Sequence, residues 1–107
     1  GARDERLRTA ARYGRLDEVD SLLREGANVT SKDPHDDMTS LHYAALGGHV
    51  DVARRLVNAG ANIDAETRAG DTPLRLATGK REVEAFLRSC GARDAMGGAA
   101  GDASTQE

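Results

Sequence analysis

The phrase Gly26-Ala27-Asn28-Val29 returns as Gly60-Ala61-Asn62-Ile63, and Gly91-Ala92 repeats its opening pair. From Gly26 to Gly60 is 34 residues, and from Gly60 to Gly91 is 31. No other feature limits the fold as strongly. A chain that repeats itself at this interval is a stack of similar small units, each unable to bury its own apolar face and each covered by its neighbour.

Ahead of each glycine lies an amphipathic run. Leu16, Val19, Leu22 and Leu23, then Val50, Ala53, Leu56 and Val57, follow the i, i+3, i+6, i+7 spacing that lays an apolar stripe along one side of a helix. Gly26, Gly60 and Gly91 stand just past these helices, where a left-handed cap is needed and glycine adopts it without a side-chain clash. A second set of helices is announced by Thr39 and Thr72, whose hydroxyls can accept from an unpaired first-turn amide. Pro73 suits a first helical position, having no amide proton to leave unsatisfied. Ser40 takes that place in the middle unit. Small residues such as Ala10, Ala44 and Ala77 suit this inner helix, where bulk would push neighbours apart. The pattern predicts an all-α stack of helix-turn-helix units joined by polar turns.

The stretch Thr39-Ser40-Leu41-His42-Tyr43-Ala44-Ala45, followed by Gly48-His49-Val50-Asp51-Val52-Ala53-Arg54-Arg55-Leu56-Val57-Asn58-Ala59-Gly60-Ala61, resembles an ankyrin repeat nearly position for position. Ankyrin units run to about 33 residues and carry a Thr-Pro-Leu-His-X-Ala signature. The resemblance implies short hairpin loops between units and covers a domain over 4–93, with units at about 4–28, 29–62 and 63–93. The middle unit matches best. The first keeps Ala10-Ala11-Arg12-Tyr13-Gly14-Arg15-Leu16, and the third keeps Gly70-Asp71-Thr72-Pro73-Leu74 but puts Arg75 where the family has histidine. Two departures matter. The first loop, Asp33-Pro34-His35-Asp36-Asp37-Met38, is one residue longer than its counterpart and lacks the turn glycine that Gly70 supplies, so Asp36 or Asp37 is expected at positive φ. In the third unit Ala77-Thr78-Gly79-Lys80 is about two residues shorter than Ala44-Ala45-Leu46-Gly47-Gly48-His49, so its inner helix or turn must be cut short. Charges interleaved through Arg81-Glu82-Val83-Glu84-Ala85-Phe86-Leu87-Arg88 then suit a capping unit.

Composition fits thin layers. Of 107 residues, 38% are hydrophobic but only 3% aromatic, and Ala, Leu and Val fill the space that rings would fill in a rounder core. From Asp94 small and polar residues take over with no apolar period, so 94–107 is expected to be a flexible tail or linker. Gly1 in place of Met points to a trimmed fragment. No apolar run reaches transmembrane length and no charged-then-apolar leader is present, so no membrane association is expected. Cys90, the one cysteine, is expected as a small filler in a reducing, intracellular setting, cytoplasmic or nuclear.

Little here points to chemistry. His35, His42 and His49 recur every seven residues, but zinc needs three or four ligands converging at about 2.0–2.3 Å. The resemblance gives His42 and His49 another task, hydrogen bonding loops to neighbouring backbone. Only His35 is free for something else. Thr78-Gly79-Lys80 lacks the upstream glycine and strand of a phosphate-binding loop. Thin layers offer no deep cleft for a nucleophile and its base, so neither enzyme activity, cofactor nor metal is expected. A formal charge of −3 with dispersed Arg and Lys gives no continuous basic stripe for nucleic acid. Arg3, Arg6, Arg8, Arg12 and Arg15 read as the solvated face of a first helix.

A protein partner remains. The resemblance implies contact through hairpin tips and the exposed side of the inner helices, which form a concave face. Carried onto this sequence, those positions are Arg12 and Tyr13 in the first unit, His35, Asp36, Asp37, Met38, Leu46 and Gly47 in the second, and Arg68, Ala69 and Asp71 in the third. Tyr13, Met38 and Leu46 are large side chains not needed for stacking, hence candidate anchors. Asp36, Asp37, Glu66 and Asp71 give the rim an acidic cast that would favour a partner with a basic patch. The expected function is a non-catalytic interaction module, part of an adaptor, scaffold or regulator, monomeric rather than homo-oligomeric. The alternatives are a purely architectural or capping segment of a longer array, and an inhibitor of an enzyme such as a kinase.

Overall fold

The computed structural model describes residues 1–92. The expectation of a flexible tail over 94–107 lies outside the described residues. Six helices follow one another: α1 (Ala2–Tyr13), α2 (Leu16–Arg24), α3 (Ser40–Gly47), α4 (Val50–Asn58), α5 (Pro73–Leu76) and α6 (Arg81–Ser89). Among the described residues there is no strand. Each odd-numbered helix packs on the even-numbered helix that follows it. The inner helices α1, α3 and α5 lie side by side, as do the outer helices α2, α4 and α6.

Each outer helix ends in the same way. Gly26, Gly60 and Gly91 take φ of 95°, 101° and 99°. The amide after each glycine then turns back to a carbonyl inside the helix: Ala27 N–H to Leu22 O at 3.0 Å, Ala61 to Leu56 at 3.0 Å, and Ala92 to Leu87 at 2.9 Å. These bonds occupy carbonyls that the helix end would otherwise leave open, and they aim the chain into the next loop.

The inner seam is made of small residues. Ala10, Ala11, Ala44, Ala45 and Ala77 are all fully buried, which lets the inner helices approach closely, while Leu7, Leu22, Leu41, Leu56 and Leu87 fill the layers between inner and outer helices. Burial of each leucine contributes about 1.5–3 kcal/mol. The buried side of α4 differs from the predicted stripe: Val52, Ala53 and Leu56 are buried, while Val50 and Val57 are half-buried. An outer helix in mid-stack is covered by its own inner helix and by outer helices on either side, so its buried seam is wider than one stripe.

Side chains also lock one unit to the next. His49 Nε2 meets the Arg12 carbonyl at 3.0 Å, and its ring lies so close to Gly14 and Gly47 that an added Cβ would fall 2.6 and 2.5 Å from ring nitrogens. Lys80, in the register of His49, packs its methylenes against Gly48. Arg8, in the register of His42, is buried and donates from Nη1 to Ser31 Oγ at 2.5 Å. On the outside, Arg55 pairs with Asp20 across α4 and α2, and the Arg54 guanidinium lies 4.9 Å from the Phe86 ring centroid.

The inner helices begin as their sequences require. Thr39 Oγ1 accepts from His42 N–H at 3.3 Å and Thr72 Oγ1 from Arg75 N–H at 3.2 Å, with Pro73 opening α5. Ser40, in the register of Pro73, is buried, and its hydroxyl has no hydrogen-bond partner among the described residues. Thr39 before it is already extended (φ −94°, ψ 172°), as a residue preceding proline must be. Ser40→Pro is therefore expected to stabilise the chain by about 0.5–1 kcal/mol, from a restricted unfolded state and the loss of an unsatisfied buried hydroxyl. Denaturant melts of the two proteins check this; a lower midpoint for the variant would refute it.

Candidate functional site

The two loops between repeat units close as hairpins that stand side by side above the inner helices. In the first, Asp33 N–H donates to Met38 O at 2.9 Å and Asp37 N–H to Asp33 O at 2.8 Å. The extra residue is absorbed by Asp37, which takes φ of 63° and settles the choice left open between Asp36 and Asp37. Side-chain carboxylates brace the turn: Asp33 accepts from His35 N–H at 2.8 Å, and Asp36 accepts from Met38 N–H at 3.0 Å. The His35 amide holds the Asp33 carboxyl below the usual carboxylate range. In the second hairpin Thr67 N–H donates to Asp71 O at 2.9 Å, Thr67 Oγ1 accepts from the amides of Ala69 and Asp71, and Gly70 takes φ of 87°.

A single backbone bond joins the tips, Arg68 N–H to Asp36 O at 2.8 Å. His42 fixes the bases. Its Nδ1 accepts from Thr39 N–H at 3.0 Å, and its Nε2–H donates to the Asp71 carbonyl at 2.8 Å, so one fully buried ring caps α3 and holds the next hairpin. This is the bridging role that the resemblance implied.

The arrangement leaves a cavity of about 380 Å³ between the hairpins and the inner helices. Its walls bring together seven of the predicted positions: His35, Asp36, Met38, Leu46, Arg68, Ala69 and Asp71. Leu46 is 48% exposed, whereas on the same helix Leu41 is fully buried and Tyr43 half-buried. Thr67 and Leu76 also line it and were not predicted. Leu76 stands in the register of Tyr43, so aligning the two inner helices would have found it. Thr67 is betrayed only by its spacing from Asp71, four residues on.

Four predicted positions do not line the cavity. Asp37 serves the turn. Gly47 is held small by the His49 ring and the Arg12 carbonyl. Arg12 and Tyr13 form a separate patch at the end of α1. There Tyr13 is 56% exposed, with the Arg12 and Arg15 guanidinium carbons 5.5 and 5.3 Å from its ring centroid. The acidic cast of the rim is partly offset: Asp71 pairs with Arg75 at 3.2 Å, and Arg68 stands on the second tip. Among the described residues no three His, Cys, Asp or Glu side chains gather as they would around a metal ion, and no helix is long and apolar enough to cross a membrane.

Layered helix pairs, glycine-capped outer helices and hairpins tied by a buried histidine define a repeat-stack interaction fold. Residues 7–94 match the profile of ankyrin repeats in three copies, and the chain belongs to the ankyrin repeat family. It is similar to mouse Ankyrin repeat domain-containing protein 40, with 35% identity over 83 residues, covering 78% of this chain and 23% of that protein. It is also similar to the Drosophila melanogaster E3 ubiquitin-protein ligase Ufd4, 39% identical over 90 residues, covering 79% of this chain and 3% of that protein. A third relative is the Danio rerio Palmitoyltransferase ZDHHC17, 35% identical over 88 residues, covering 82% of this chain and 14% of that protein. The chain thus spans less than a quarter of the length of these relatives. Ankyrin repeats are a non-catalytic protein-interaction fold, and the catalytic activities these names carry belong to much longer chains.

Burial pushes the His42 pKa below the ordinary imidazole value, outweighing the raising effect of the Asp71 carbonyl. Folding therefore favours neutral His42, and the unfolded chain binds more protons below about pH 6.5. That part of the stability is present in full above pH 6.5 and is lost as pH falls through the window down to the lowered folded value. Unfolding free energies measured from pH 7 to 5 should fall more steeply for the native chain than for His42→Gln; parallel slopes would show that His42 titrates alike in both states.

Proposed function

We propose that this domain is a non-catalytic module that docks a protein partner on the hairpin tips and the concave side of the inner helices. One observation carries the reading. The two large apolar side chains most exposed among the described residues, Tyr13 and Leu46, both lie at the inner-helix positions that stacking does not use. Leu46 moreover opens into the cavity beneath the two hairpins, where Met38, Arg68 and Asp36 surround it. An aliphatic floor ringed by charge is the composition of an interface centre, where a few anchors supply most of the affinity. The finer boundaries of the domain, at about 4–93 with units 4–28, 29–62 and 63–93, belong to this proposal, as do its monomeric state and intracellular setting.

The architectural alternative is less well supported. A segment that served only to extend a stack would keep its spare apolar surface on its outer layers, yet Leu7 and Val83 are fully buried and Phe86 is half-covered beneath Arg54. An inhibitor of an enzyme would use the same face and is a special case of the docking module.

The test is a combined Asp36→Lys, Met38→Ala, Leu46→Ala variant. Asp37 is left in place because its positive φ makes substitution a test of folding. Far-UV circular dichroism should be unchanged, since Leu46 is half-exposed and the Asp36 carboxylate lost from the turn lies outside the helices, in a hairpin whose backbone bonds from Asp33 and Asp37 remain. Affinity for proteins retained by the native chain should fall about tenfold or more, as expected for removal of one good anchor. Retention undiminished in a folded variant would remove this face from the function.

A further inference from the structure

The cavity has a cause in the sequence of the third unit. In the first unit Ala11 is followed by Arg12 and Tyr13 before Gly14, and in the second Ala45 is followed by Leu46 and Gly47 before Gly48. The third runs from Ala77 through Thr78 directly to Gly79, which takes the same left-handed conformation as Gly14 and Gly48. Hence α5 has 4 residues where α3 has 8, and nothing in the third unit stands in the register of Leu46 and Gly47. On its first-unit side Gly47 packs against the Arg12 carbonyl. Towards the third unit the missing pair leaves a notch, with Leu46, Leu76 and Met38 around it. At about 380 Å³ it falls at the lower end of the roughly 300–1,000 Å³ typical of ligand pockets.

Charge narrows the occupant. The two fingers carry Asp33, Asp36, Asp37, Glu66 and Asp71 against Lys32 and Arg68, and Arg75 stands below them on α5. Arg75 is engaged with Asp71, and the Arg68 side chain reaches back to the Pro34 carbonyl. Among the described residues neither Asp36 nor Asp37 has an ion-pair partner. The far end of the face is positive, where Arg12 and Arg15 flank Tyr13. A cation is therefore favoured beside Asp36 at the notch and disfavoured at the separate Arg12–Arg15 patch.

We infer that the notch takes the aliphatic side chain of a linear peptide segment in the partner protein, with lysine or arginine beside that side chain on the Asp36–Asp37 side. This rests on the protein-binding reading and specifies its partner. Four capped pentapeptides built on Lys-Lys-Leu-Gly-Gly, Gly-Gly-Leu-Lys-Lys, Glu-Glu-Leu-Gly-Gly and Lys-Lys-Ser-Gly-Gly would be titrated into the isotope-labelled 107-residue chain. One of the two lysine-leucine peptides should shift the methyl signals of Met38, Leu46 and Leu76 saturably, and its affinity should drop about tenfold in about 0.5 M salt. The glutamate and serine peptides should not saturate.

Inserting Leu-Gly between Thr78 and Gly79 restores the missing pair and should abolish the shifts. Leu46→Asn, made on a half-exposed side chain that does not support the core, should do the same without any question of folding. Equal or tighter binding of the glutamate peptide, silence from all four, or shifts that follow protein concentration without peptide, which would mean a second copy in the notch, would each overturn the inference. A partner lost by the finger variant described above while the peptides stay silent would discard the peptide chemistry alone and keep the docking face.

Discussion

The structure depends on close approach between inner helices. No unit has enough apolar surface to fold by itself, so stability comes from layers shared between neighbours. Sharing requires that α1, α3 and α5 come near enough for the leucines behind them to interlock, and the alanine seam at 10, 11, 44, 45 and 77 is what permits it. A larger side chain at any of these places would separate two layers at once. The same spacing explains the glycines pressed against His49: once helices are this close, a single ring bridging two units leaves no volume for a Cβ at Gly14 or Gly47.

Close stacking also decides where the polar groups go. Loops that leave the stack must have their backbone satisfied near its surface, and His42 does this from inside, with one nitrogen on its own helix cap and the other on the following hairpin. The first unit solves the problem differently. Arg8 stands in the same register, but its longer side chain reaches Ser31 and keeps its charge near the surface carboxylate of Asp33. The third unit has Arg75 there, exposed and paired with Asp71. Three units thus use arginine, histidine and arginine at one position: Arg8 and His42 each reach the loop of the following unit from a buried place, while Arg75 pairs within its own unit.

Features set by a local rule were legible in the residues. A glycine after an amphipathic run, a threonine before an alanine-rich one and a proline in the first turn each follow from backbone geometry that does not depend on the neighbours. The loop one residue too long likewise required a residue at positive φ, although the choice between Asp36 and Asp37 rested on hydrogen bonds that only the closed hairpin makes. Features set by two units at once were less legible. Val52 is buried because α4 is covered from more than one side, and a single-helix stripe has no term for that. Thr67 and Leu76 entered the cavity wall for the same reason, since their exposure is decided by what stands across the groove.

The shortened third unit shows how one change in length acts on both sides of that divide. Read within its own unit, the missing pair truncates a helix and marks a cap. Read across the stack, it removes the residues that would stand beside Leu46 in a full-length third unit, on the side where Leu46 is 48% exposed. Those two effects need not have coincided. Had the deletion fallen in an outer helix, it would have exposed the convex side, away from both hairpins; falling where it does, it opens the concave face beside the carboxylates of the longer finger. Shape and charge therefore meet at one place because two length changes of opposite sign fall in elements that line one groove: one residue gained in the hairpin of His35, Asp36 and Met38, and two lost beyond the short helix that ends at Leu76.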